Sequence, residues 1–542
     1  MSTVNVGASL TEAAQRHPDR AALHQWEPSL LGGDYRHLDY GTLDGDSDDI
    51  ARGLTAIGIG RGVRAALMVP PGRDFFALAF GMAKAGVVPV LVDPGMGLRG
   101  LRACLAEAAP EAFIGVPRAH LARMLLGWAE ASVRHVVTVG GLGVYGGHTL
   151  EEVRALGRSS SARALADTRA DEVAAILFTS GSTGPPKGVV YTQANFAAQI
   201  ESLRRISDLG SDEVDLATFP PFALFDPALG MTTVVPRMDF SRPAAADPAR
   251  LFATIERFGV TNMFCSPALL RVLAAWGAPR GLALPSVRRV ISAGATVPAD
   301  VIERFVAMLS PGARVLTPYG ATEALPVSLI GSDELRGDAR TGEGVCVGLP
   351  VEGVDVAIIA TSDEPIERWS DSLRLPRDTV GEIVARGDVV TAAYDHRPAD
   401  TALAKIHDGV RVWHRMGDLG YLDGLGRLWF CGRKAERVET GGHTLTSVPC
   451  EAVFDRHPAV RRSALVGVRG RDGVRPVMCV ELEAHGPAVP RLQTELRALA
   501  IAHAHTARID TFLVHPGFPV DTRHNAKIRR GELAVWAARV LR

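Results

Sequence analysis

At 542 residues the chain is too long for one compact core, and two or more domains are expected. Apolar residues make up 47% and charged residues 22%, a globular balance that excludes wholesale disorder. Lys and Arg total 59 against 60 Asp and Glu, so a formal charge of -1 offers no footprint for nucleic acid and points to a small-molecule substrate.

The first residues lack a basic segment followed by an apolar one, so no signal peptide is expected. Ser9 through Glu12 read as a capping box opening a helix. Residues 43–58 follow as a helix ending at glycine, and 64–70 as a short buried strand. The stretch 75–93 is strongly apolar but holds Lys84 and Pro89, so it reads as a buried helix leading into a buried strand and not as a membrane span. Residues 88–93, 111–116 and 135–140 are strands of continuous apolar type. Strands alternating with helices predict parallel sheets covered on both faces.

Residues 141–146, GLGVYG, match G-x-G-x-x-G, but GHTLEEV intervenes before any helix, so a glycine-rich loop is expected there. Residues 361–378 read as an exposed insertion between strands. The pattern changes at 427–436, where a strand runs into a charged segment, and a fresh α/β pattern begins near 448. The expected class is α/β: a large domain of layered sheets and helices over 1–433 and a small mobile α+β domain over 434–542. Six cysteines (Cys104, Cys265, Cys346, Cys431, Cys450 and Cys479) show no C-x-x-C pair. Neither a disulfide scaffold nor a zinc cluster is expected, and reduced thiols fit a cytoplasmic protein.

The segment most charged with chemistry is ILFTSGSTGPPKGVVYT, residues 176–192, a loop of small hydroxyl and glycine residues between apolar strands. Glycines let backbone approach an anion, exposed N–H groups form a nest, and Lys187 adds a mobile positive charge. The loop suits a polyphosphate. A Walker loop is disfavoured, because Pro186 stands where its second glycine would be and Gly188 follows the lysine. A flexible turn of small residues explains neither the hydroxyls nor the lysine.

TSGSTGPPKG (179–188) resembles the pyrophosphate loop of the adenylate-forming superfamily of acyl-CoA synthetases, luciferases and peptide-synthetase adenylation domains. YGATEA (319–324), HRMGDLGYLD (414–423), FCGRKAERVE (430–439) and NAKIRRGEL (525–533) look like that family's later motifs in its order. The resemblance implies attack of a substrate carboxylate on the α-phosphate of ATP with loss of pyrophosphate. Two anions must meet, so charge neutralisation and alignment carry most of the work.

By the same resemblance, Thr179, Ser180, Gly181, Ser182, Thr183, Gly184 and Lys187 would hold the β- and γ-phosphates. Thr322 would contact the α-phosphate and Glu323 would bind Mg²⁺, a hard cation that favours carboxylate oxygen. Ala293, Gly294 and Ala295, with Tyr319, Gly320 and Ala321, would line the adenine site. Asp418 would accept from both ribose hydroxyls, Arg433 would add a ribose or phosphate contact, and Lys527 would reach the α-phosphate and the carboxylate. Ala435, Ala526 and Glu439 depart from residues common in relatives. Ala223 stands where acyl-CoA synthetases carry an aromatic or histidine gate. These departures leave adenylation credible and put CoA transfer in doubt.

Residues 219–244, 259–270 and 428–460 look like the β-lactone-forming subgroup of bacterial long-chain olefin biosynthesis. That implies a hydrophobic 3-hydroxy acid whose own hydroxyl displaces AMP. Ala223, Phe225, Asp226 and Met231 are the expected acyl-pocket residues, and His443 and Asp226 the candidate bases. Two alternatives stay open: an acyl-CoA ligase, for which CoA would be a substrate, and a non-catalytic acyl-adenylate-binding homologue. A complex with enzymes of the same pathway is also left open.

Overall fold

The computed structural model describes residues 4–28, 32–179, 185–207, 209–210, 212–335, 343–470, 473–483, 489–520 and 528–542. Among them a seven-stranded sheet holds, in spatial order, His148–Thr149, His135–Thr138, Ala112–Gly115, Arg64–Met68, Val88–Val92, Val173–Thr179 and Lys187–Thr192. All neighbours are parallel except the last pair, which is antiparallel. The central strands are largely apolar because helices cover both faces, as in α/β sheets generally.

A second sheet begins parallel, through Thr232–Val235, Val214–Ala217, Asn262–Phe264, Arg289–Ile291 and Arg314–Ala321. It continues antiparallel through Ala324–Gly331, Val345–Pro350, Leu428–Arg433, Arg411–Leu422 and Gly381–Gly387. The chain leaves this sheet at Arg433 and enters a short 3-10 turn, Lys434–Glu436. Beyond it, Val460–Gly470, Gly473–Leu482 and Thr511–Val514 form a three-stranded sheet. The helices Ser447–Phe454, Val489–Ile501 and Arg530–Val540 pack on that sheet, and the two apolar clusters there contain only residues from Val438 onward.

The buried helix expected before residue 88 spans Arg73–Ala85 and feeds Val88–Val92. Its Lys84 is fully buried and charge-paired with Asp44 and, at 2.6 Å, with Asp48. Among the described residues no helix is long and apolar enough to cross a membrane. The capping box expected at Ser9 does not form. The helix starts one residue earlier, at Ala8, its N-cap Gly7 makes no side-chain cap bond, and Ser9 Oγ instead donates to the Val6 carbonyl at 2.6 Å. Glu12 is drawn to Arg16 one turn on, at 3.3 Å. A reciprocal box appears instead at Thr149 and Glu152, directly after the glycine-rich 141–147 loop. The insertion 361–378 is largely exposed, but Trp369 stacks on buried Trp413 with ring centroids 4.1 Å apart and pins it down.

Candidate active site

Thr179 and Lys187 end and begin the antiparallel strands on either side of the glycine-hydroxyl loop, and they lie in register with each other. Ser180, Gly181, Ser182, Thr183 and Gly184 lie outside the described residues, as does Lys527. Lys187 Nζ rests 2.7 Å from Asp400 and 5.1 Å from the centre of the Tyr394 ring. The Tyr394 hydroxyl in turn donates to Glu323 Oε1 at 2.7 Å. One aromatic side chain thus links the lysine of the phosphate loop to the carboxylate expected to hold a cation.

Thr322 and Glu323 form the tip of a hairpin in which Ala321 opposes Ala324. The hairpin closes tightly at Gly320, where a Cβ would come within 2.6 Å of the Ala324 carbonyl oxygen. Only a residue without a side chain allows that approach. The tip is held from two sides: the Tyr191 hydroxyl donates to the Thr322 carbonyl, and the Thr391 backbone N–H donates to the Glu323 carbonyl at 2.9 Å. Behind Thr391 the ammonium of buried Lys405 donates to the Thr391 carbonyl. Burial pushes the Lys405 ammonium down to about 7, with the Glu323 charge opposing. Burial, then the Lys405 charge, keep the adjacent His414 imidazole neutral.

Asp418 is 3% exposed and follows Gly417, whose φ of 67° turns the strand at that point. Its carboxylate accepts from the Tyr319 hydroxyl at 2.6 Å and from Arg433 at 2.8 Å. Burial pushes the Asp418 carboxyl up, while Arg433 and the Tyr319 hydroxyl pull it back. Burial and the Asp418 charge in turn push the Tyr319 hydroxyl far up, so it is a fixed donor. Ala293, Gly294 and Ala295 follow the strand Arg289–Ile291, whose parallel neighbour leads into Tyr319 and Ala321. Beside them Ser292 Oγ is buried without a hydrogen-bond partner among the described residues. A purine edge is a fitting partner for such an orphaned hydroxyl. An aspartate bonded to both a tyrosine and an arginine suits a ribose, and Ser292 and residues 293–295 lie where α/β sheets bind ligands, at the carboxyl end of a parallel strand.

A recess with about 50 Å³ of accessible volume adjoins the same hairpin. Leu203, Ile206, Phe222, Phe225, Leu316 and Leu329 contribute to its apolar wall, and Leu325 and Pro326 extend it to within a few residues of Glu323. Of the four expected acyl-pocket residues, Phe225 lines this recess. Ala223 and Met231 are buried in the core, and the Met231 carbonyl accepts from the Tyr40 hydroxyl at 2.6 Å. Asp226 is buried beside Asp215 and accepts from Thr233 at 3.2 Å. Burial, then its neighbour Asp215, push the Asp226 carboxyl well above the usual carboxylate range. His443 lies in an exposed hairpin 2.6 Å from Arg508.

Sequence reasoning missed Tyr394, Thr391, Lys405 and Tyr191, which brace the hairpin, and Gln199, which faces the recess. Tyr191 lies in the 176–192 segment but outside its glycine-hydroxyl loop, and the other four belong to no motif.

The family model described as AMP-binding enzyme matches residues 10–395. The chain is 51% identical over 548 aligned residues to an olefin beta-lactone synthetase of Xanthomonas campestris, covering 98% of this chain and 97% of that one. It is 50% identical to an olefin beta-lactone synthetase of Stenotrophomonas maltophilia, covering 98% of each. Among solved structures, ATP-bound MatB from Rhodopseudomonas palustris superposes with a TM-score of 0.80 over the whole of both chains, at 21% identity.

Proposed function

We propose, for a chain that belongs to the AMP-binding enzyme family, that it converts a hydrophobic 3-hydroxy acid into a β-lactone at the expense of ATP. The chain is an ATP-dependent, adenylate-forming enzyme acting on a small-molecule acid. The finer reading is that a carboxylate oxygen bonds to the α-phosphorus as the bond to pyrophosphate breaks. The 3-hydroxyl oxygen then bonds to the acyl carbon, the acyl–phosphate bond breaks, AMP leaves, and the hydroxyl proton passes to water. The observation that carries this reading is identity of about one half, over nearly the full length, to two olefin beta-lactone synthetases.

The geometry supports the same reading, because an apolar recess meets the Thr322–Glu323 hairpin, so an alkyl chain lying in it brings its carboxylate to that tip. In this reading Asp418, Tyr319 and Arg433 hold the ribose, residues 293–295 the adenine, and Thr322 the α-phosphate. Glu323 holds Mg²⁺, which neutralises phosphate charge when bound. Residues 179–184 and Lys187 hold the phosphate tail, Lys187 exchanging Asp400 for it. We read 1–433 and 434–542 as two domains hinged at Lys434–Glu436, the second delivering Lys527 to the α-phosphate and the carboxylate.

The test is incubation with Mg-ATP and racemic long-chain 3-hydroxy acids, with and without CoA, followed by mass spectrometry. Lactone and AMP without CoA are expected. A thioester formed only with CoA would establish an acyl-CoA ligase instead, and absence of ATP–pyrophosphate exchange with every acid would leave only a binding protein. Lys527→Ala should slow exchange about 100- to 1000-fold, the usual cost of losing one preorganised donor.

A further inference from the structure

Gln199 is the one polar side chain among the described residues that line the apolar recess. It projects from the helix Gln193–Ser207 and is 5% exposed. Its Nε2 donates to the Leu325 carbonyl at 3.0 Å and stands against the Tyr191 hydroxyl. A backbone carbonyl can only accept, so this bond fixes which end of the amide is nitrogen. The oxygen accepts no hydrogen bond among the described residues, and it is not sealed off from the recess that Gln199 lines.

The bond to Leu325 accounts for the amide nitrogen and leaves the oxygen unexplained. Packing therefore gives no account of that oxygen. A ligand donor does. The acid proposed above has one donor along its chain, the 3-hydroxyl, two carbons from the carboxylate. The Gln199 nitrogen is anchored on Leu325, two residues from Glu323 at the hairpin tip, so the amide sits close to the end of the recess nearest that tip.

We propose that Gln199 Oε1 accepts a hydrogen bond from the 3-hydroxyl of the acyl chain. The bond selects hydroxylated over plain fatty acids and turns the hydroxyl oxygen toward the activated carbonyl. Gln199 is a substrate-positioning residue. An amide oxygen is too weak a base to remove the proton, and no proton transfer to it is involved.

The inference rests on the β-lactone reading, and the experiment separates the two. Wild type and Gln199→Met, which retains size and loses the acceptor, are compared with a 3-hydroxy acid and its 3-deoxy analogue of equal length. ATP–pyrophosphate exchange and lactone yield are both measured, with thermal melting as a check on folding. Gln199→Met also frees the Leu325 carbonyl, but that loss falls on both acids alike. The expected result is a 10- to 100-fold fall in the 3-hydroxy over 3-deoxy ratio of kcat/KM, about what one lost hydrogen bond to a buried amide gives. Lactone yield should fall with it, while exchange with the 3-deoxy acid stays within about threefold. Equal effects on both acids, or none on either, would overturn the role of Gln199. Absence of lactone from wild type would overturn the β-lactone reading instead, and the exchange ratio would still judge hydroxyl recognition.

Discussion

Replacing Arg530 by methionine should destabilise the protein in a pH-dependent way. Arg530 stands three residues after Lys527. Its Nε donates to Glu436 of the 434–436 turn at 2.8 Å, and a terminal nitrogen donates to Glu451 at 3.0 Å. Side-chain exposures of 16%, 23% and 12% for Arg530, Glu436 and Glu451 make this a partly buried triad. Breaking a buried pair by removing one partner costs about 3–5 kcal/mol when the remaining charge has no escape. Glu451 has one. Burial already raises its carboxyl to about 7, with Arg530 opposing. Near neutral pH the orphaned group can take up a proton, which limits the loss to about 2–3 kcal/mol.

A carboxyl whose folded value lies above its unfolded one favours folding at low pH and loses that advantage as pH rises through the folded value. Removing Arg530 moves the folded value higher, so the variant keeps losing stability relative to wild type at pH 7–9, where the wild-type contribution of Glu451 has levelled off. Each pH unit adds up to about 1.4 kcal/mol. Scanning calorimetry at pH 5.5, 7 and 8.5 measures this, together with the Arg530→Met/Glu451→Gln double variant, in which the extra slope should vanish. A loss that is the same at all three pH values, or a double variant with the slope intact, would refute the reasoning. Because Glu436 sits in the proposed hinge, Arg530→Met should also slow ATP–pyrophosphate exchange.

Asp418→Asn preserves shape and removes the charge that Arg433 and Tyr319 address. Its Km for ATP should rise about 10- to 100-fold, as expected for charge-assisted bonds, and an unchanged Km would remove Asp418 from the nucleotide site. Lys405→Met should make stability less dependent on pH. The ammonium is lowered to about 7 in the fold, so between pH 7 and the ordinary lysine value of about 10.4 the unfolded chain binds more protons and wild-type stability rises with pH. The variant should lack that rise, of at most about 5 kcal/mol. Denaturation curves at pH 7, 8.5 and 10 measure it, and parallel profiles would show that Lys405 is not the group responsible.

The elements that could be read directly are those whose physics is local. Alternating apolar strands and helices predict the parallel sheets, since burial on both faces demands continuous apolar runs. Lys84 and Pro89 mark 75–93 as a buried helix feeding a buried strand, which is what forms there. The capping box at Ser9 failed because the same four-residue signature competes with an earlier turn and with Arg16. Of the residues expected to line an acyl pocket, Phe225 lines the recess, because a short apolar run such as 219–240 does not say which side chains face a void and which face the core. Ala223 and Met231 turned inward.

The bracing of the site comes from pairs far apart in the chain. Tyr394 and Glu323 are 71 residues apart, Tyr319 and Asp418 are 99, and Gln199 and Leu325 are 126. The order of residues alone determined the sheet strands, the turning points and the glycine-hydroxyl character of the 179–187 segment, because period and backbone freedom act over a few residues. Only the tertiary structure decided which tyrosine holds Glu323, which lysine is buried behind it, and which amide faces the recess. Those choices depend on which distant surfaces meet, and no spacing in the sequence encodes that meeting.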